Sequence, residues 1–325
     1  MKDRLNYIDI ARGLLILSML LFHLPYIIKR GVGYDSWALL NISDLTYLYV
    51  PFFMPAFFYI SGYVTNFQKN CFLFVKSKVF KTLIPATLLT MVSHLIMFDF
   101  SIPFLKSHFW IYGAGEWFIP CLVVGEICFL GVSRIKSSHL RIITSLFICV
   151  VGVVLSNYTT LTNVWYFENA LVFLPFLLLG DLCKKKIFSI SFFVCMLGMY
   201  LFVLLLYYII FNKMPFVMQS IQCELHEIPL MLLGGGAGTM ALLGVSMFIR
   251  RCEWLEYIGR NTLLFYILHW NLAIRVCGLI FNKIVPHSIM IDIISYVICF
   301  LMVTVLLMIF AYLFNTKYLK WVLGR

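Results

Sequence analysis

The chain has 325 residues, of which 62% are hydrophobic and only 12% charged, with a net charge of +11. A water-soluble domain is nearer half apolar and a quarter charged, so that class is excluded; repeated apolar runs about 20 residues long mark transmembrane helices. The positive charge comes without a folded basic module or an RNA-binding signature, which excludes nucleic acid as its partner and leaves the lipid bilayer.

Ten apolar segments follow one another, at 7–28, 45–66, 79–98, 116–133, 140–157, 164–183, 188–211, 229–249, 260–281 and 290–314. They predict an all-α integral membrane protein with about ten transmembrane helices in one bundle. Lys2 and Arg4 ahead of the first segment imitate a signal peptide. Asp9 and Arg12 inside it, its length, and the lack of a small-residue cleavage site instead predict a retained first span. Lys and Arg then sort by side. Eighteen of the 25 fall in alternate connections and at the two ends, five (Lys29, Arg30, Lys106, Lys213, Lys283) fall in the other connections, and Arg12 and Arg275 lie within spans. The positive-inside rule places both termini in the cytoplasm. No connection is long enough for a further folded unit, so residues 1–325 read as a single membrane domain without a separate extracytoplasmic domain. The ten cysteines show no metal-type pairing or disulfide framework, and most read as small hydrophobes within apolar runs.

An ionisable group at membrane depth costs roughly 2.5–3.5 kcal/mol and usually faces the interior of a bundle. The first segment holds three. Eleven residues turn a helix about 20° past three full turns, so Arg12 and His23 share a face roughly 16 Å apart along the axis. Asp9 lies three residues before Arg12, on the same side. The competing view of this stripe is a structural Asp–Arg pair plus a histidine bonded to a neighbouring helix. In the second segment, Pro51 and Pro55 predict distortion of its outer half, and the small pair Ser61-Gly62 suits close helix packing. Lys76, Lys78 and Lys81 follow at the mouth of the third; they read either as snorkelling anchors or as a phosphate site. Glu116 and Trp117 open the fourth segment at the outer interface. GGGAG at 234–238 predicts close helix approach in the eighth. The ninth carries Asn261 at its start, His269 near mid-span and Arg275 further out. A second mid-membrane histidine favours a functional explanation for both.

These residues resemble the acyltransferase-3 family of membrane-bound acyltransferases, which includes bacterial O-acetyltransferases of surface polysaccharides. YIDIARGLLILSMLLFH is similar to that family's first helix, with the same spacing of Arg12 and His23. MPAFFYISGYV resembles its second-helix signature around Ser61-Gly62, and VKSKVFKTLIP its basic stretch, with lysines where arginines are common. EWFIP, LVFLPFLLLGDLCKK and IGRNTLLFYILHW resemble further elements in the same order, from about residue 5 to 272.

The resemblance implies a multi-pass protein of the bacterial cytoplasmic (inner) membrane. Its implied activity is transfer of an acyl group, most often acetyl, from cytoplasmic acyl-CoA to a carbohydrate hydroxyl, with acetyl-CoA as co-substrate and no metal. His23 would act as general base or carry the acyl group itself; both remain open. Asp9 would orient Arg12, Glu116 would serve the acceptor, and His269 would stabilise the oxyanion or act as a second base. Arg12, Lys78, Lys81, Ser61 and Asn261 would bind the donor. Nothing in the sequence excludes a homo-oligomer. The competing class is a multi-span secondary transporter or exporter of a small solute; such proteins usually show inverted repeats or paired broken helices, which the sequence does not display.

Overall fold

The computed structural model describes residues 6–97, 117–158, 164–184, 186, 188–212, 223–283 and 288–324. Among the described residues every regular element is helical, and each of the ten apolar segments is occupied by helix. The protein is an all-α integral membrane protein. Among the described residues seven helices are long and apolar enough to cross a membrane, or eight if the bent pair Trp37–Thr46 and Val50–Val64 is counted as one span. The two remaining segments hold shorter helices among the described residues. The fourth gives a helix of 15 residues, Phe118–Val132, next to residues outside the described set. The sixth breaks at Phe173, just ahead of Pro175, where the proline lacks the N–H that would continue the first half.

The chain divides into two compact units, each discontinuous in sequence. The first comprises Met1–Leu48, Phe80–Ile102 and Arg251–Arg325. Its helices are α1 (Asn6–Tyr26, running on as a π-helical turn, Ile27–Val32) and α2 (Trp37–Thr46), then α5 (Ile84–Ile96), α12 (Glu253–Arg260), α13 (Thr262–Phe281) and α14 (Ile289–Phe314). The short helix α12 buries Leu255, Glu256, Ile258 and Gly259. It meets α1 backbone to backbone: a methyl at Gly13 would strike the Leu255 carbonyl, and one at Gly259 would strike that of Asp9. Only glycines allow this double approach.

Polar bonds join the rest of the unit. Arg275 on α13 donates to the carbonyls of Ile96 and Met97 at the end of α5, at 3.1 and 2.6 Å, which satisfies carbonyls a helix end leaves unpaired. Asn271 donates to Ser93 Oγ at 3.0 Å. Tyr296 donates to the Leu21 carbonyl at 2.9 Å. Tyr34 donates to both oxygens of buried Asp292, at 2.9 and 2.8 Å. Burial first, then these bonds, raise the Tyr34 hydroxyl above the ordinary phenol range.

The second unit, Tyr49–Val79 and Pro103–Arg250, holds α3 (Val50–Val64), α4 (Cys71–Lys78), α6 (Phe118–Val132), α7 (Ser138–Tyr158), α8 (Phe167–Val172), α9 (Leu174–Cys183), α10 (Ile190–Phe211) and α11 (Ile228–Ile249). The same device recurs between α3 and α9. A methyl at Gly62 would strike the Leu177 carbonyl, and one at Gly180 would strike the Tyr59 carbonyl. Helix α11 is continuous through GGGAG, where Gly235 faces Phe176 and Pro55, and Gly238 faces Phe52. That run works as the close-approach surface its composition predicts. Pro51 opens α3 instead of bending it, since the first turn has no use for the missing N–H; Pro55 lies inside the helix. On α10, Val194, Leu201, Phe202, Leu205 and Ile209 are exposed, as suits a helix solvated by lipid rather than water.

Candidate active site

The first unit brings the two membrane histidines together. His23, near the end of α1, places Nδ1 2.7 Å from Nε2 of His269 on α13. The ring centres are 4.9 Å apart and the planes differ by 17°. A five-membered ring with bonds of about 1.33 Å has its atoms roughly 1.1 Å from its centre. The centre separation is therefore the nitrogen separation plus two ring radii, and the rings lie edge to edge in nearly one plane. That is the geometry of a lone-pair-directed hydrogen bond, not of stacking.

The partner on the far side fixes the tautomers. His269 Nδ1 lies 2.5 Å from the Tyr266 carbonyl, one turn back in its own helix. A carbonyl only accepts, so Nδ1 carries the hydrogen. In the neutral pair, His269 Nε2 is then an acceptor and His23 Nδ1 its donor, which leaves the lone pair of His23 on Nε2. His269 is 4% exposed, whereas His23 is only partly buried. Trp270 sets its ring at 80° to that of His23, with centres 5.6 Å apart. A base with a defined free lone pair, oriented by a buried partner, is the arrangement general-base chemistry requires.

At the other end of α1, Arg12 Nη1 lies 3.8 Å from Asp9 Oδ1, with Asp9 buried and Arg12 part-exposed. The helical stripe read from the sequence is present. Asn261, expected at a donor site, links helices in the structure. It donates to the Tyr257 carbonyl at 2.9 Å and accepts from Asn315 Nδ2 at 2.8 Å, at the break between α12 and α13. Lys81 is exposed.

In the second unit, Ser61 and Lys78 converge on one group. Glu126 Oε1 on α6 accepts from Ser61 Oγ at 2.5 Å, Lys78 Nζ at 2.6 Å and, at a longer 3.3 Å, Thr65 Oγ1. Glu126 is 1% exposed, and such burial of a charge requires pairing of this kind. Thr65 extends the network: its carbonyl accepts from Lys184 Nζ at 2.6 Å, and Lys184 and Arg141 both pair with Asp181, at 2.6 and 3.0 Å. Sequence reasoning missed Glu126 as a site residue, although an isolated acid inside an apolar segment was the available signal. Tyr266 and Trp270 lie in the IGRNTLLFYILHW stretch that resembles the family, but sequence reasoning gave neither a role. Glu116 lies outside the described residues.

No curated protein and no solved structure matches the chain. A family model described as an acyltransferase domain, that of the acyltransferase-3 family, matches residues 5–314. It spans both histidines and Glu126, and covers nearly the whole sequence. The chain therefore belongs to the acyltransferase-3 family and is a membrane acyltransferase.

Proposed function

We propose that this acyltransferase moves an acetyl group from acetyl-CoA to a hydroxyl of a cell-surface carbohydrate or of its lipid-linked precursor, at the bacterial inner membrane. The observation that carries the reading is the run from the Tyr266 carbonyl through His269 to His23, which leaves His23 Nε2 as the acceptor of a proton. Nε2 takes the hydroxyl proton of the acceptor as its oxygen attacks the thioester carbonyl. The carbon–sulfur bond breaks, and the departing thiolate takes the proton back from His23. The products are the O-acetyl ester and free CoA. His269 accepts from His23 Nδ1 throughout and spreads the positive charge that forms on the pair.

For the phosphates of CoA, Arg12 (held beside Asp9) and Lys81 in the first unit and Lys78 in the second are each a candidate cation, taken one unit at a time. Lys78 enters already paired with Glu126, so a phosphate would share it rather than meet a bare charge. Ser61 shares the same carboxylate oxygen and is positioned with it.

The test is His23→Ala in membranes given labelled acetyl-CoA and surface glycan. Transfer should fall at least about a hundredfold while insertion and fold are retained. Near-normal transfer would remove His23 from the chemistry.

A further inference from the structure

The aromatic groups beside His23 form a continuous path out of the histidine pair. Trp270 meets the His23 ring edge to face. Tyr26, one turn beyond His23 on α1, sets its ring centre 5.8 Å from that of Trp270. Arg30 donates to the Tyr26 hydroxyl at 2.7 Å and holds its guanidinium carbon 4.7 Å from the centre of the Tyr26 ring. Tyr26 is 43% exposed, and Trp270 is partly so. The neighbouring charge, Lys29, is neutralised by Asp35 at 2.6 Å. Among the described residues no carboxylate pairs with Arg30.

An interfacial aromatic belt accounts for an exposed tyrosine. It does not account for a tryptophan seated against His23 beside buried His269, nor for a guanidinium fixed over a ring with, among the described residues, no carboxylate on it. We infer that Trp270, Tyr26 and Arg30 form the acceptor subsite, and that it takes a saccharide ring bearing an anionic group next to the hydroxyl acylated at His23. The inference rests on the carbohydrate reading above. The C–H face of a pyranose is apolar and slightly positive, and it complements the negative face of an indole or phenol ring. The guanidinium, preset by Tyr26, offers its planar fork to a carboxylate or phosphate. Little side-chain freedom is left to lose on binding.

The full chain in lipid nanodiscs, supplied with labelled acetyl-CoA, tests this with three acceptors: methyl β-D-glucoside, methyl β-D-glucuronoside and methyl β-D-glucoside 6-phosphate. The charged acceptors should show kcat/KM about tenfold higher than the neutral one, and which of the two leads identifies the anion as carboxylate or phosphate. Arg30→Gln should collapse that preference to within about twofold. Trp270→Ala should raise KM for all three acceptors by about tenfold with KM for acetyl-CoA held, and Trp270→Phe should restore most of the loss. A preference that survives Arg30→Gln, or an acceptor KM unmoved by Trp270→Ala, overturns the subsite and leaves the carbohydrate reading standing. Absence of transfer to any of the three overturns both.

Discussion

His269 spends one nitrogen on Tyr266 within its own helix, so what it offers His23 is an acceptor. Glutamine at 269 can supply a carbonyl oxygen in that place, whereas phenylalanine fills the space without one. We expect His269→Phe to lower kcat about 10- to 100-fold and His269→Gln to recover much of it, measured as CoA release at saturating donor. Equal losses in the two variants would make the role one of packing alone. Glu126 calls for a different experiment, because its removal strands a cation. Glu126→Gln leaves the part-buried Lys78 without its counter-charge and should cost about 1–3 kcal/mol, less than for a fully buried pair. The double variant Glu126→Gln/Lys78→Met should regain most of that stability in thermal unfolding; additive losses would argue against coupling. The sequence showed His23 and His269 as separate oddities on separate helices, and their shared explanation was legible as a suspicion. The convergence of Ser61, Thr65 and Lys78 on Glu126 was not, because three donors spread over residues 61 to 78 meet an acid at 126 only through packing.

At the scale of helices, the two units use one construction. A short or broken helix lies directly on a long one, with a glycine from each partner under a carbonyl of the other: Gly13 and Gly259 in one unit, Gly62 and Gly180 in the other. Adding a methyl at Gly259 must push α12 off the Asp9 carbonyl. Gly259→Ala should therefore lower stability by about 1–3 kcal/mol and weaken acetyl-CoA binding through the displaced Asp9–Arg12 pair. Gly198→Ala on α10 has open space around it and should cause no loss by the same unfolding measurement. Helix positions were legible because apolar length and turn chemistry are local. Ser36, Asn70, Ser189 and Ser288 accept from backbone N–H groups at their helix starts. The reciprocal contacts were legible only in part. Ser61-Gly62 and GGGAG announced close packing, but nothing near Gly13 or Gly259 in the sequence names the carbonyl each must avoid. The bond from Asn315 to Asn261 was not legible for the same reason: the two are far apart in sequence.

For the molecule as a whole, the distribution of Lys and Arg predicts which ends face the cytoplasm, and a native cysteine offers a test. Cys71 is exposed at the start of α4, between Lys69 and Lys76 on the side rich in positive charge. In a variant keeping Cys71 as its sole cysteine, a membrane-impermeant maleimide should label inverted vesicles and leave intact cells unlabelled. Labelling in intact cells would reverse the topology. Composition and hydropathy made the membrane class legible at once, because lipid selects for apolar length regardless of detail. The partition into two units was not legible, since each is assembled from pieces distant in sequence, and no local pattern records which pieces pack together.

The Tyr266 carbonyl has a consequence for the energetics of the cell. A chain of hydrogen bonds conducts protons only if every member can both receive and release one. The histidine pair ends on an oxygen that has no proton to give. A proton that enters at His23 Nε2 has to leave by the same atom, so two imidazoles inside a membrane protein form a cul-de-sac rather than a conduit. Two imidazoles can thus sit within a polarised bilayer without opening a leak for the proton gradient across it.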